Sequence, residues 1–418
     1  MINSEIYYKS LQKKYSRSIS LGLSRINKAL KLMGNPHLNM QNCINILGSD
    51  GKFTCLESVS SFLKANKNTT TKFISPHLVF LQSRIWLKNR FISLSEIKKY
   101  ERKISKLKVK LSLFEMLTLV YVLAASKTKA EYNCIESGLL FAKDSTRLWN
   151  KPLLQACVNL NKQHLEWVYP KTINEICRQK VGYMSDNTNI YIGKQKPKVL
   201  RIVKKILKKN NSNIIYPSTW KIVKKNKKFF YKDKKNLIKI NSKYIYSKGL
   251  IDNLGLAIKI ALDLNIKPKI IERTIPSIKY EGRLDYIKSG KLRKYLNKNQ
   301  DLLLDGAHSN TSAKNLYNYL KSLKKPVYGI WAMQKNKMPK QFLKNFKGIF
   351  KKITTMKIKN EPNSCTAEEL KKIAFKQGYL ADKAENIQDA LKRLKSNKVK
   401  TICVFGSLYH VGNVISKN

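Results

Sequence analysis

The sequence predicts an α/β protein built on open parallel sheets, and three observations carry that prediction. Short apolar runs of strand length alternate with longer stretches whose apolar residues recur at helical spacing, as parallel strands joined by crossover helices require. One such run, Asn45-Ile46-Leu47, feeds a glycine-bracketed turn, Gly48-Ser49-Asp50-Gly51-Lys52-Phe53-Thr54, ahead of a helical stretch. After Arg283 the strand pattern restarts, which implies a second α/β unit.

Taken in order, 44–47 reads as a strand and 55–63 as the helix behind it. A short strand at 72–74 stops at Ser75-Pro76-His77, a loop by composition. The stretches 92–107 and 111–125 read as helices, and 132–136 as a strand ending at Gly138. After a short strand-like piece at 190–192, the chain from Lys194 to Ser247 is basic and strand-like, with further short pieces at 220–222 and 244–246, before a helix at 252–262. In the second half 302–304 runs into Asp305-Gly306, and further strands are expected at 326–331, 353–356 and 401–405, the last ending at Gly406-Ser407. The domains expected are 1–288, a linker at 289–299, and 300–418. Open parallel sheets bind ligands beyond the carboxyl ends of their strands, so Asp50, Ser75, Glu136 and His164 stand out as polar residues at such ends.

A chain of 418 residues is too long for one ordinary core, and 43% hydrophobic residues exclude a disordered tail. Eighty-three Lys and Arg against 26 Asp and Glu give +57, which alone would suggest a polyanionic partner. The lysines are spread through the whole chain, however, without the ordered interleaving of aromatics and arginines that stacks bases. No specific nucleic-acid partner is expected, and the excess reads as drift toward lysine at tolerant positions. Seven cysteines form no C-x-x-C pair and sit mostly in apolar runs, which fits reduced thiols in a cytoplasm. The N-terminus is polar and basic through Arg17, without an apolar signal core, and the longest apolar run, 111–125, is interrupted by Ser112, Glu115 and Thr118. A cytoplasmic monomer without a membrane segment is the expectation.

The turn at 48–54 has the parts that cradle a triphosphate. Backbone N–H groups of Gly48, Ser49, Asp50, Gly51 and Phe53 would face the phosphates, Lys52 would reach the terminal oxygens, and the Thr54 hydroxyl could ligate Mg²⁺. The loop is one residue shorter than the common G-x-x-x-x-G-K-[ST] form, and Phe53 separates lysine from hydroxyl. Alone, these residues also fit an ordinary strand-turn-helix corner.

A series of motifs in order decides between the two. Leu21-Gly22-Leu23-Ser24-Arg25-Ile26 and Leu32-Met33-Gly34-Asn35-Pro36 open it, followed by the 48–54 turn, Ser75-Pro76-His77-Leu78 with Arg84, Phe114-Glu115, Glu136-Ser137-Gly138-Leu139, Asp144-Ser145-Thr146, His164 and Lys180-Val181-Gly182. Glu281-Gly282-Arg283, Asp305-Gly306-Ala307-His308 and Gly406-Ser407-Leu408-Tyr409 with Gly412 complete it. In this order they resemble the folylpolyglutamate synthase and dihydrofolate synthase branch of the Mur-ligase-like ATP-dependent amide ligases. The resemblance implies a P-loop ATPase-type N-terminal domain and a smaller, Rossmann-like C-terminal domain. It also implies an ADP-forming ligase that joins L-glutamate to the carboxylate of a reduced folate through an acyl phosphate, with dihydropteroate as the other candidate acceptor. By the same resemblance Glu136, His164 and Ser75 would hold a second Mg²⁺, Lys180 would be a carbamylated metal ligand, and Asn253, Arg283, Asp305 and His308 would grip ATP. Catalysis would then rest on Lys52, His164 and Lys180.

Several positions depart from the related motifs. Phe53 replaces a small residue, Asp50 an amide, Leu140-Phe141-Ala142 a Gly-Gly-Arg, Gln163 an acid and Ser309 an asparagine. A nucleotide- or folate-binding homologue that has lost ligation is therefore the alternative.

Overall fold

The computed structural model describes residues 2–15, 21–226 and 228–418, so Arg17 lies outside them. By its contacts the chain forms two units, Met1–Ser242 with Leu250–Ile278, and Lys243–Gly249 with Lys279–Asn418.

In the first unit every residue of β1 (Cys43–Leu47) is buried, as a parallel strand covered on both faces must be. The following strands are β2 (Thr70–Phe73), β3 (Ile85–Leu87), β4 (Arg90–Phe91), β5 (Tyr132–Glu136), β6 (Leu154–Cys157), β7 (Asn189–Ile192) and β8 (Asn213–Ile215). They form one sheet in the order β4-β3-β2-β5-β1-β6-β7-β8, parallel from β2 to β8, with β3 and β4 added antiparallel at one edge. From β1 the chain crosses to β2 and the edge strands β3 and β4, returns to β5 beside β1, and resumes at β6 on the other side. The carboxyl end of β1 is thus the switch point where such sheets open a crevice.

Helices on both faces make the sheet's core. Leu113–Thr128 opens with a capping box between Ser112 and Glu115, and its residues 115–125 are all buried. It packs with Leu94–Ser105 against Phe73, Ile85 and Ile135. Ile173–Val181 and Pro197–Leu207 cover β6 and β7 in a second cluster that includes Leu47, Cys157 and Phe141. A separate antiparallel sheet, β9 (Lys221–Lys225), β10 (Lys228–Lys232) and β11 (Leu237–Ile240), holds the basic stretch, with Tyr231, Ile238 and Ile240 buried.

In the second unit the strands are β12 (Asp285–Tyr286), β13 (Gln300–Asp305), β14 (Val327–Trp331), β15 (Phe350–Thr355), β16 (Ala381–Lys383) and β17 (Lys400–Phe405). Their order is β12-β13-β17-β14-β15-β16, all parallel except β12. Trp331, Phe342 and Phe350 stack on Phe405 at its centre, and Phe346 meets the same ring edge-on.

The strand expected at 244–246 is instead a 3₁₀ turn, Lys243–Tyr246. Its aromatic alternation mimics a strand, but Tyr244 is buried against the Tyr280 ring at 4.5 Å between centroids, and its hydroxyl accepts the Tyr280 N–H at 3.0 Å. All seven cysteines are buried and unpaired. Among the described residues no helix is long and apolar enough to cross a membrane.

Candidate active site

The turn after β1 is built from positions that need glycine. Gly48 and Gly51 have φ of 137° and 99°, and a Cβ on Gly51 would stand 2.0 Å from Asn253 Nδ2. Gly51 is the N-cap of the helix Lys52–Ala65, so the turn's N–H groups gather at a positive helix end. Lys52 lies in the helix's first turn, its Nζ folded back onto the carbonyls of Gly48 and Ser49 at 3.4 and 3.3 Å. The buried Thr54 hydroxyl donates to Gly51 O at 2.9 Å and accepts from Asn253 Nδ2 at 3.0 Å, which leaves one oxygen lone pair. Phe53 is half-buried on the same turn.

The other half of the crevice comes from the strands beside β1. In-register pairing sets the ends of β2 and β5 side by side, and there Ser75 N–H donates to Glu136 Oε2 at 3.1 Å. Past β6, Asn161 and Gln163 reach back to the phosphate turn. Asn161 Nδ2 donates to Asp50 Oδ2 at 2.7 Å, Gln163 Nε2 donates to Asp50 Oδ1 at 2.9 Å, and Asn161 N–H donates to Ser49 Oγ at 3.1 Å. His164 is not at a strand end. It sits seven residues past Cys157, with φ 62°, as the N-cap of the turn Leu165–Trp167, and its Nδ1 is 4.0 Å from Glu166 Oε1.

Lys180 is buried, and its Nζ donates to Gly48 O at 2.8 Å and to Leu139 O, tying the phosphate turn to the loop after β5. Burial, and then repulsion from Lys52, lower its amine to about 7. As an ammonium it is a donor and supplies no metal ligand. Among the described residues no three His, Cys, Asp or Glu side chains converge on one point. The donors that suit a hard divalent cation here are oxygens, namely the buried Glu136 carboxylate and the hydroxyls of Ser75 and Thr54. Phe141, at a departing motif position, is 1% exposed in the core cluster with Leu47 and Cys157, so its ring fills the interior.

In the second unit Asp305 ends β13. Its carboxylate accepts from the N–H groups of Leu284 and Ala307, each at 2.9 Å. Burial pushes this carboxyl up, against the lowering pull of Arg283 and of the two N–H groups. Arg283 Nη1 is buried without a hydrogen-bond partner and faces Gly306, where a Cβ would come within 2.4 Å of it. That orphaned donor is what an anionic ligand would satisfy. His308 Nδ1 is 2.8 Å from Gly306 O, so the proton sits on Nδ1. Ser309 caps the helix Asn310–Ser322, a role asparagine fills equally well.

The turn residues with Asn253, and Ser75 with Glu136, are thus each brought together in the first unit, and Arg283 with Asp305 in the second. The sequence reading missed Asn161, a lone amide beyond a strand it did not foresee.

Comparison with known proteins bears on this geometry. The family model for the C-terminal domain of dihydrofolate synthetase matches residues 288–417. Dihydrofolate synthetase of Saccharomyces cerevisiae is 24% identical over 95% of this chain and 98% of its own length. Dihydrofolate synthase/folylpolyglutamate synthase of Bacillus subtilis is 22% identical over 44% of each chain. The same fold occurs in E. coli FolC in complex with DHPP and ADP, with a TM-score of 0.84 and 18% identity over 98% of this chain and 96% of that one. It also occurs in the bifunctional synthase from Yersinia pestis complexed with AMPPNP and Mn ion, with a TM-score of 0.84 and 17% identity over 99% and 97%.

Proposed function

We propose that this chain is a member of the folylpolyglutamate synthase and dihydrofolate synthase branch of the Mur ligases and joins L-glutamate to a pteroate-type carboxylate at the expense of ATP. The observation that carries the proposal is the glycine turn Gly48–Thr54, at the carboxyl end of the central strand and at a helix N-terminus, with Lys52 in the first helical turn. Reduced folate and dihydropteroate are both acceptors in this reading, and the full-length relationship to a dihydrofolate synthetase supports the second.

In the first step the acceptor carboxylate attacks the γ-phosphorus, ADP leaves, and an acyl phosphate forms. The neutral amine of glutamate then attacks the acyl carbon, inorganic phosphate leaves, and the nitrogen loses its proton. Lys52 swings from the Gly48 and Ser49 carbonyls to the γ-phosphoryl oxygens and stabilises the charge that develops there. One Mg²⁺ would be held by the Thr54 hydroxyl and a second by Glu136 and Ser75, with His164 the further ligand that the resemblance implies, and when bound they would neutralise phosphate charge. With its amine near 7, Lys180 has the neutral fraction that carbamylation needs, and the modified group would become anionic. Arg283, Asp305 and His308 are the candidate nucleotide contacts of the second unit, with Asn253 acting on the first through Thr54.

Purified protein with ATP, Mg²⁺, L-glutamate and either acceptor should release ADP and a glutamyl product. ATP binding without either product would install the non-catalytic reading in its place. Against that reading stand the departures themselves, since Phe141 is absorbed in the core and Gln163 is engaged with Asp50.

A further inference from the structure

The turn Leu81–Arg84 carries a guanidinium without a counter-charge. Arg84 is only 7% exposed, yet among the described residues no carboxylate pairs with it. Its Nε donates to His77 Nδ1 at 2.8 Å. Because arginine has only donors, the lone pair of His77 must face it, and the imidazole is a neutral acceptor here. A buried cation left in this state is unfavourable to fold unless an anion arrives.

The surroundings hold the guanidinium in one orientation. The Tyr8 ring stands edge-on to His77 at 4.5 Å, and the guanidinium carbon lies 5.9 Å from the centre of that ring. The helix Ile2–Lys14, which carries Tyr8, is fastened to the same turn by Ser4. Its hydroxyl donates to Gln82 Oε1 at 2.6 Å and accepts from Leu81 N–H at 3.1 Å. Arg84 O accepts from Ile74 N–H at 2.9 Å, one residue before Ser75 and its contact with Glu136. The main chain of Arg84 is therefore anchored beside the end of β2, a strand separated by β5 from the β1 that carries the phosphate turn.

With Nε spent on His77, Nη1 and Nη2 remain for a forked contact, which matches a carboxylate. We propose that Arg84 binds a substrate carboxylate at this site, with His77 as its positioning residue. The proposal rests on the ligase reading for the source of that carboxylate, which is either the pteroate-type acceptor or L-glutamate.

The test is steady-state kinetics of Arg84→Lys and Arg84→Gln in the full chain. Folding is followed by thermal melting and by binding of a non-hydrolysable ATP analogue. In Arg84→Lys the KM for one carboxylate substrate should rise roughly tenfold or more, because the forked contact is lost while the charge stays, and the KM for ATP should hold within about twofold. The substrate whose KM moves identifies the source. His77→Gln, which keeps an acceptor for Nε, should shift the same KM less than His77→Leu does. Unchanged KM values for both carboxylates in folded Arg84→Lys, or an equal rise for ATP, would overturn the proposal. If Arg84→Gln does not fold, Arg84→Lys decides. Should the wild type turn over neither acceptor, the ligase reading fails separately. Equilibrium binding of dihydropteroate and of glutamate, with the ATP analogue present, then compares wild type with Arg84→Lys, and equal affinities overturn the carboxylate contact.

Discussion

At the phosphate turn the Asp50 carboxylate accepts from the Gln163 amide. Two departures from the related motifs, an acid for an amide at 50 and an amide for an acid at 163, therefore face each other with their chemistry exchanged. Asp50→Asn would set amide against amide, and Gln163→Glu would set two carboxylates together and drive one to take up a proton. Each single change should lower kcat/KM, and the double variant Asp50→Asn, Gln163→Glu should recover most of the loss, with a coupling of roughly 1 kcal/mol or more. Simple additivity in a double-mutant cycle would refute the exchange. Lys52→Ala should reduce kcat at least roughly a hundredfold, as loss of a charge-stabilising donor does. Its melting temperature should barely move, since the two bonds Lys52 now makes are long; an equal fall in stability would argue for a structural lysine. The turn itself was legible because glycine spacing, lysine and hydroxyl lie within seven consecutive residues. Asn161 was not, because its partner Asp50 is 111 residues away and the two meet only through the pairing of β1 with β6.

Among the elements, the helix Leu408–Ile415 contains a titratable group that the core must keep neutral. His410 is 1% exposed, and burial lowers its imidazole to about 4, partly offset by a hydrogen bond to the Ile330 backbone. Between about 6.5 and about 4 the unfolded chain binds a proton that the folded chain refuses, so stability present above 6.5 is lost as pH falls through this window. Urea titrations at several pH values should show a shallower acid slope in His410→Gln. The remaining slope belongs partly to His77, held down to about 3 by burial and by Arg84. An unchanged slope would mean that His410 is already exposed to solvent protons. Helices such as Leu94–Ser105 and Leu113–Thr128 were readable to within a few residues because serine and glutamate mark their starts and apolar periodicity marks their length. The strands β10 and β11 were hidden, since only alternate residues face the core and lysines occupy much of the other face. The turn at 243–246 misled for the opposite reason, its alternating tyrosines serving one local anchor.

Over the whole molecule the +57 charge acts as self-repulsion, which a compact state concentrates and an unfolded chain relaxes. Raising NaCl from about 20 mM to about 300 mM shortens the screening length to below about 10 Å and should raise the melting temperature by several degrees. A flat response would mean that the lysines already sit at screened distances. The α/β class and the restart after residue 283 were visible from alternation alone, whereas the membership of Lys243–Gly249 in the second unit depends on contacts such as Gly249 N–H to Asn315 Oδ1 at 3.1 Å. The shielded cysteines supply a way to watch each unit open. Thiol alkylation requires exposure and a thiolate, and burial denies both, so each sulfur reacts only when its surroundings unfold. Cys55 lies in the helix behind the phosphate turn, and Cys403 lies on β17 opposite Leu303 of β13. ATP bound at the phosphate turn should slow the labelling of Cys55, and Cys403 reports separately on the opening of the second unit; an unchanged Cys55 rate at saturating ATP would mean that the turn does not hold the nucleotide.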